Sequence, residues 1–350
     1  MTNRTNNQLR EKDKNQPSRP KMNFKLSSFF MRFGTLLMIG LLVIFFSSVQ
    51  RAFLTPTNWS NILRSISITT LVALGVTVSL SVDGFDLSIG STAGLASIIA
   101  ASMMIWYKAS IPVTIIVSLL SGVLVGLVNS FLIVVVGIDD LLATLGMQFV
   151  VRGVLLTYAG GVAVHDYMVM RNGEMAPGLV TPQFKFLGQG FLGPIPVPVL
   201  IMVIIVVIVY FFMNHTRWGR YLYIIGGNRE AAFLSGIRVD RYRTLAYVIS
   251  GLLAAAGGII LTARLGTGEL RGGDPFLMES VMASFVGYSV LASGKPNVFG
   301  TFVGAIFTGI MVNGLTMINV PVYSLDIFKG VVLIAAVSLH AIQKKSHEKS

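Results

Sequence analysis

The chain has 350 residues, 53% of them hydrophobic and only 12% charged, with a net charge of +12 and no cysteine. That charged fraction is about half the roughly 25% of soluble domains, which excludes an ordinary soluble enzyme, and without cysteine there are no disulfides or thiolate metal sites. Basic residues are densest at the two tails and in one loop, which reads as inside-positive bias and not as a nucleic-acid footprint, while recurring apolar runs of span length mark an all-α polytopic membrane protein.

Residues 1–28 read as a basic cytoplasmic tail, polar and proline-bearing in the manner of disordered segments, with no small-residue cleavage site after the first span. A transmembrane domain over residues 29–342 follows, and residues 343–350 form a second cytoplasmic tail. The apolar runs predict about ten spans. The first five are Phe29–Val49, Ile62–Val82, Ile89–Trp106, Pro112–Val136 and Leu141–Tyr158. Gln50–Asn61 connects the first two outside, with Pro56 and Trp59 suited to the interface. A Gly- and Pro-rich external segment, Gly160–Pro196, precedes the sixth span, Val197–Met213. The remaining four are Thr244–Ala263, Leu277–Ala292, Val298–Ile318 and Ser324–Ile342, with a Gly-rich external loop, Arg264–Pro275, after the seventh and a tight turn, Ser293–Asn297, before the ninth.

The pattern breaks between Asn214 and Arg243, a polar stretch with six arginines and no lysine. An even span count places both tails and this loop on one side, the cytoplasmic one. Within it, Asn228 can cap a short helix, Ala231 and Ala232 can propagate it and Gly236 can end it. Small residues on such a helix suit close packing, so it reads either as a docking element for a soluble partner or as a solvated loop that sets topology.

Three glycine pairs, Gly90/Gly94, Gly122/Gly126 and Gly300/Gly304, stand four apart in apolar runs and predict close helix contacts in lipid. Spans two to five and seven to ten also start at similar intervals, which predicts an inverted repeat with a pathway at its interface.

No nucleotide-binding or catalytic motif is present: Gly294-Lys295 runs into proline, and His165, His215, His340 and His347 are scattered. Asp326 and Lys329, three apart, are expected to pair with each other. Arg152 falls inside the fifth span, where a charge is costly and faces a wet cavity or sits near an interface. The turn Asp83-Gly84-Phe85-Asp86-Leu87-Ser88 carries two carboxylates and a hydroxyl. Asp83, Asp86 and Ser88, with Arg152, are candidate pathway residues; the competing reading is that Asp86 caps the third span.

The stretch Ala73-Leu74-Gly75-Val76-Thr77 through Gly84-Phe85-Asp86-Leu87-Ser88-Ile89-Gly90-Ser91 resembles the segment that marks permeases of ribose-type ATP-binding cassette importers. Gly226-Gly227-Asn228 with Ala231, Ala232, Ser235, Gly236 and Ile237 is similar to that family's coupling loop, and Ser284–Gly300 and the Gly-rich ninth span are similar as well. The likeness runs from about Asn58 to Ile342, and Asp83 departs from it, standing where the family usually has glycine. The resemblance implies an inner-membrane transport subunit that binds no cofactor. It also implies a second permease subunit, a cytoplasmic ATPase that carries ATP and Mg, and an extracytoplasmic binding protein. It makes Gly227, Asn228, Ala231, Ala232, Ser235, Gly236 and Ile237 the residues coupled to the ATPase. The Asp-Leu-Ser-x-Gly segment points to the simple-sugar branch of a superfamily that also moves branched-chain amino acids, nucleosides and the autoinducer-2 furanose. An ion-coupled transporter or a membrane enzyme would need intramembrane ionisable or paired catalytic groups, and Arg152 is the only such residue evident in the sequence.

Overall fold

The computed structural model describes residues 24–170, 172–289 and 295–347. Most of the predicted N-terminal tail, the first half of the turn before the ninth span and the last three residues lie outside them.

Helices stand at all ten predicted positions. They are α1 (Phe24–Val49), α2 (Pro56–Leu80), α3 (Ile89–Ile105), α4 (Ile111–Ser130, prolonged by a π-turn Phe131–Val136) and α5 (Asp140–Ala159). Then come α6 (Pro182–Gln189), α7 (Val197–His215), α8 (Arg217–Gly227), α9 (Arg229–Leu234), α10 (Val239–Leu265), α11 (Asp274–Ser289), α12 (Val298–Met317) and α13 (Val322–His347). Among the described residues six helices are long and apolar enough to cross a membrane: α2, α4 with its π-turn, α5, α7, α10 and α12. A two-stranded ribbon, Phe191–Leu192 with Ile195–Pro196, joins α6 to α7.

Several boundaries differ from the apolar runs because caps outrank hydropathy. α2 starts six residues before the predicted Ile62, since Pro56 occupies the first helical position and the Thr55 side chain accepts from the Asn58 amide. α10 begins at Val239, five residues before Thr244, inside the polar loop. α13 continues to His347, since nothing in Gln343–His347 breaks a helix. Asp139 caps α5, accepting from the amides of Leu141 and Leu142.

The packing exchanges partners between the two halves. α10 packs on α3 and α4, while α2 packs on α11 and α12, and α2 and α10 meet each other. Helix starts at Pro56, Ile89, Ile111 and Asp140 in one half parallel those at Val239, Asp274, Val298 and Val322 in the other. α2, α10 and α12 are mostly buried within the protein, whereas α4, α5 and α7 turn most of their apolar side chains outward, the division expected between central and lipid-facing helices.

The glycine pairs are where backbones meet. A Cβ on Gly122 would come within 2.2 Å of the Gly251 carbonyl, one on Gly126 within 2.4 Å of the Tyr247 carbonyl, and one on Gly304 within 2.0 Å of the Ala283 carbonyl. Gly90 and Gly94 face Gly273, just ahead of α11, whose own Cβ would meet the Gly90 carbonyl at 2.2 Å. Real side chains do not reach such distances, so any larger residue would push these helices apart.

Candidate functional site

The break between α2 and α3 is a fixed turn. The Ser81 amide and hydroxyl bond back to carbonyls of the last turn of α2, and Asp83 adopts φ 56°. That left-handed conformation suits glycine and is tolerated by aspartate. Gly84 has no such alternative: a Cβ there would lie 2.5 Å from the Tyr247 hydroxyl and 2.8 Å from Asp140 Oδ2.

Three elements lock the turn in place. Asp86, 1% exposed, accepts at Oδ1 from the Ser88 amide (2.9 Å) and hydroxyl (2.7 Å), and at Oδ2 from the Ser250 hydroxyl of α10 (2.7 Å). Asn129 of α4 donates to Ser88 Oγ (2.8 Å) and reaches Asp86 Oδ1 at 3.4 Å. From α5, Thr144 Oγ1 accepts from the Leu87 amide (3.1 Å) and donates to the Phe85 carbonyl (3.0 Å). Beside it Asp140 holds Arg243 through Oδ1 (2.7 Å) and accepts from the Tyr247 hydroxyl at Oδ2 (2.7 Å). Asp86 thus serves the N-terminal end of α3 and also ties it to α4 and α10. Asp86 and Ser88 point inward; Asp83 is exposed, and half-buried Phe85 meets the Phe285 ring of α11 at 6.1 Å, which stacks on Tyr288.

The polar loop meets this turn directly. Gly226, near the end of α8, approaches the Ser81 carbonyl so closely that a Cβ would lie 2.3 Å from it. Asn228 then caps α9 as its sequence predicts, accepting from the Ala231 amide at 2.9 Å, and Gly236 closes it at φ +78°. Gly227, Ala231, Ser235 and Gly236 are exposed and Ile237 is half-buried, but Ala232 is fully buried, in a cluster with Leu222, Ile225, Val239 and Ala246. Its small size serves packing onto the protein's own body. The outward face carries Phe233 (70% exposed) and Leu234 (78% exposed) instead.

Arg152 stands apart from the turn. It lies 3.9 Å from Asp274, the first residue of α11, which also binds Arg271 at 2.9 Å, and its side chain is 40% exposed. Nor do Asp326 and Lys329 form the main pair. Lys329, 6% exposed, sits 3.2 Å from Glu279 of α11 but 3.8 Å from Asp326, itself 78% exposed. Thr69 of α2 donates to the other Glu279 oxygen at 3.1 Å. The spacing along one helix hides this buried ion pair, whose signal in the sequence is Glu279 in the eighth apolar run and Lys329, beside Asp326, in the tenth. Nearby, Thr77 of α2 meets Thr301 of α12 (2.5 Å) and Ser284 of α11 (3.3 Å), so the interface of the two halves is lined by hydroxyls. Among the described residues no three His, Asp or Glu side chains converge on a common point.

Residues 58–337 match the family described as branched-chain amino acid transport system, permease component. The chain is 34% identical over 317 residues to the ribose import permease protein RbsC of Bacillus subtilis (strain 168), covering 90% of this chain and 94% of the relative. It is 32% identical over 310 residues to RbsC of Escherichia coli (strain K12), covering 89% and 94%. It is 29% identical over 326 residues to the D-allose transport system permease protein AlsC of Escherichia coli (strain K12), covering 93% and 96%. No solved structure matches. With four-fifths of its length inside the family match and close to the whole of each relative covered, the chain belongs to the branched-chain amino acid transport system permease family, as a multi-pass protein of the bacterial inner membrane.

Proposed function

We propose that this chain is the membrane subunit of an ATP-driven importer that carries a monosaccharide, ribose or a relative of it, through the interface of two permease subunits. The observation that carries the reading is similarity along nine-tenths of the chain to permeases named for ribose, with others named for allose and xylose. Although the family's description mentions branched-chain amino acids, these relatives are named for sugars.

In this reading the chain crosses the membrane ten times, with both termini and the Asn214–Arg243 loop in the cytoplasm. The short α9, with Asn228, Ala231, Ser235, Gly236 and Ile237 around its exposed Phe233 and Leu234, seats in a separate ATPase chain that binds ATP and Mg. Gly226 against Ser81 passes its movement to the turn Asp83–Ser88. Because Asp86, Thr144 and Gly84 join that turn to α4, α5 and α10, it moves as a rigid piece and not as a loose loop. Asp83 and Phe85 are the parts of it left to meet the sugar, by hydrogen bonding and by stacking on an apolar sugar face, while Asp86 and Ser88 hold the turn. Arg152, part-way along α5 and paired with Asp274, stays a candidate pathway residue within the membrane.

Reconstitution into liposomes with its ATPase and binding protein tests the proposal, with labelled ribose, allose and xylose as substrates. ATP-dependent accumulation of one of them is expected. Uptake by this chain alone, driven by an ion gradient, would refute it. Reporter fusions after His215 and after Gln343 should both read cytoplasmic, and an external signal from either would refute the ten-span arrangement.

A further inference from the structure

The Asn214–Arg243 loop folds into a groove between α8 and the start of α10. Trp218 and Tyr221 of α8 line one side, Arg238, Arg241, Tyr242 and Leu245 another, and Ser235–Ile237, which the proposed function places at the ATPase, borders it, around an open cavity of about 550 Å³. That is the size of a small-ligand site. Its place in the membrane follows from its neighbours. α7, whose apolar run ends at Met213, leads into one side, and the apolar length of α10 begins at the other.

The chemistry of the walls is specific. Arg238 and Arg241 are exposed, and among the described residues neither makes an ion pair, whereas Arg243, two positions on, is taken by Asp140. Two guanidinium forks beside one cavity match the oxygens of a phosphate. Asp240, between them in sequence, does not line the cavity. The Tyr221 and Tyr242 rings meet edge to face at 5.1 Å, and Trp218, 56% exposed, meets Phe212 of α7 at 6.3 Å. Tyrosine and tryptophan with a polar tip and an apolar body belong at the level of lipid headgroups. Ile204, Ile208 and Phe211 of α7 are exposed apolar side chains. Arg217 and Arg220, exposed just outside the cavity, add to the positive field that draws anionic lipid to a juxtamembrane surface.

We infer that this groove binds the phosphate headgroup of an anionic phospholipid, with Arg238 and Arg241 on the phosphate and the aromatic residues against the glycerol and upper chain. A free phosphate would engage the arginines but leave Trp218 and Leu245 without a role. The site itself follows from the groove; only its assignment to the cytoplasmic leaflet rests on the topology proposed above.

Native mass spectrometry of the full-length chain in detergent, with phosphatidylglycerol or phosphatidylethanolamine added, tests this. Phosphatidylglycerol should stay bound under activation that strips phosphatidylethanolamine. Arg238→Gln and Arg241→Gln should each weaken retention about fivefold, and the double variant about thirtyfold, at the electrostatic attraction of one basic residue each near a membrane surface. Arg217→Gln, outside the groove, should change it less than about twofold, its charge lying farther from the phosphate. Both single variants alter exposed side chains, so they carry the test even where the double variant fails to purify. Equal retention of the two lipids, or wild-type retention in both single variants, would overturn the inference. So would release of phosphatidylglycerol by millimolar inorganic phosphate, which would assign the groove to a soluble anion.

Discussion

Replacing Asp86 with alanine removes the acceptor of the Ser88 amide and hydroxyl and of the Ser250 hydroxyl. At 1% exposure the site admits no bulk water in its place. Asn129 goes on donating to Ser88 Oγ at 2.8 Å, but the Ser88 N–H, the Ser88 O–H and the Ser250 O–H all lose their acceptor. An unsatisfied buried donor costs about 1–3 kcal/mol, so three cost about 3–9 kcal/mol, toward the lower end where the two hydroxyls rotate to other acceptors. Asp86→Asn is milder. Its amide oxygen can keep the Ser88 donors, and its NH2 group can donate to Ser250 Oγ, which accepts as well as donates. What it loses is charge assistance, about 1 kcal/mol per bond, set against the relief of no longer burying a charge. Thermal unfolding in detergent, read beside membrane yield and transport per folded molecule, should therefore rank wild type above Asn and Asn above Ala. Transport per folded molecule should be preserved in Asn. Asp86→Ala with wild-type melting and yield but no transport would refute this reasoning and place the carboxylate in the substrate path.

Phe233→Asp with Leu234→Asp should leave melting unchanged, since both side chains are exposed, but abolish co-purification of the ATPase; Ala232→Arg should instead unfold the loop or lower yield, because it forces a charge into a closed apolar cluster. Lys329→Ala should lower stability by about 3–5 kcal/mol by stranding Glu279, whereas Lys329→Met with Glu279→Leu should restore most of it; thermal melts of both decide, and a double variant as unstable as the single would contradict the account. Gly122→Val should separate α4 from α10 and cost more than Gly146→Val, where a Cβ meets nothing within 4 Å; equal melting of the two would remove the close-packing argument.

Much of the architecture was legible because its causes are local. A long apolar run can satisfy its backbone in lipid only as a helix, so helices at the predicted positions follow from composition. Asn228 caps α9 and Gly236 ends it because capping is decided within four residues. Glycines four apart marked surfaces of close approach, though not what approaches them. The partners were not legible. Arg243 and Asp140 stand 103 positions apart, and nothing in either segment names the other. Glu279 stands as one charge in an apolar run, and Lys329 is expected to pair with its neighbour Asp326 because spacing along one helix is all that a sequence displays. Ala232 shows the same limit: helical spacing puts residues on a common face but does not say which face turns outward, and in a membrane both faces of a span are apolar. Local chemistry therefore set where helices begin, end and touch closely. The pairing of Asp86 with Ser250, of Glu279 with Lys329 and of Gly226 with Ser81 arose only when packing brought distant segments together, because ion pairs and hydrogen bonds depend on distances in space and not on order along the chain.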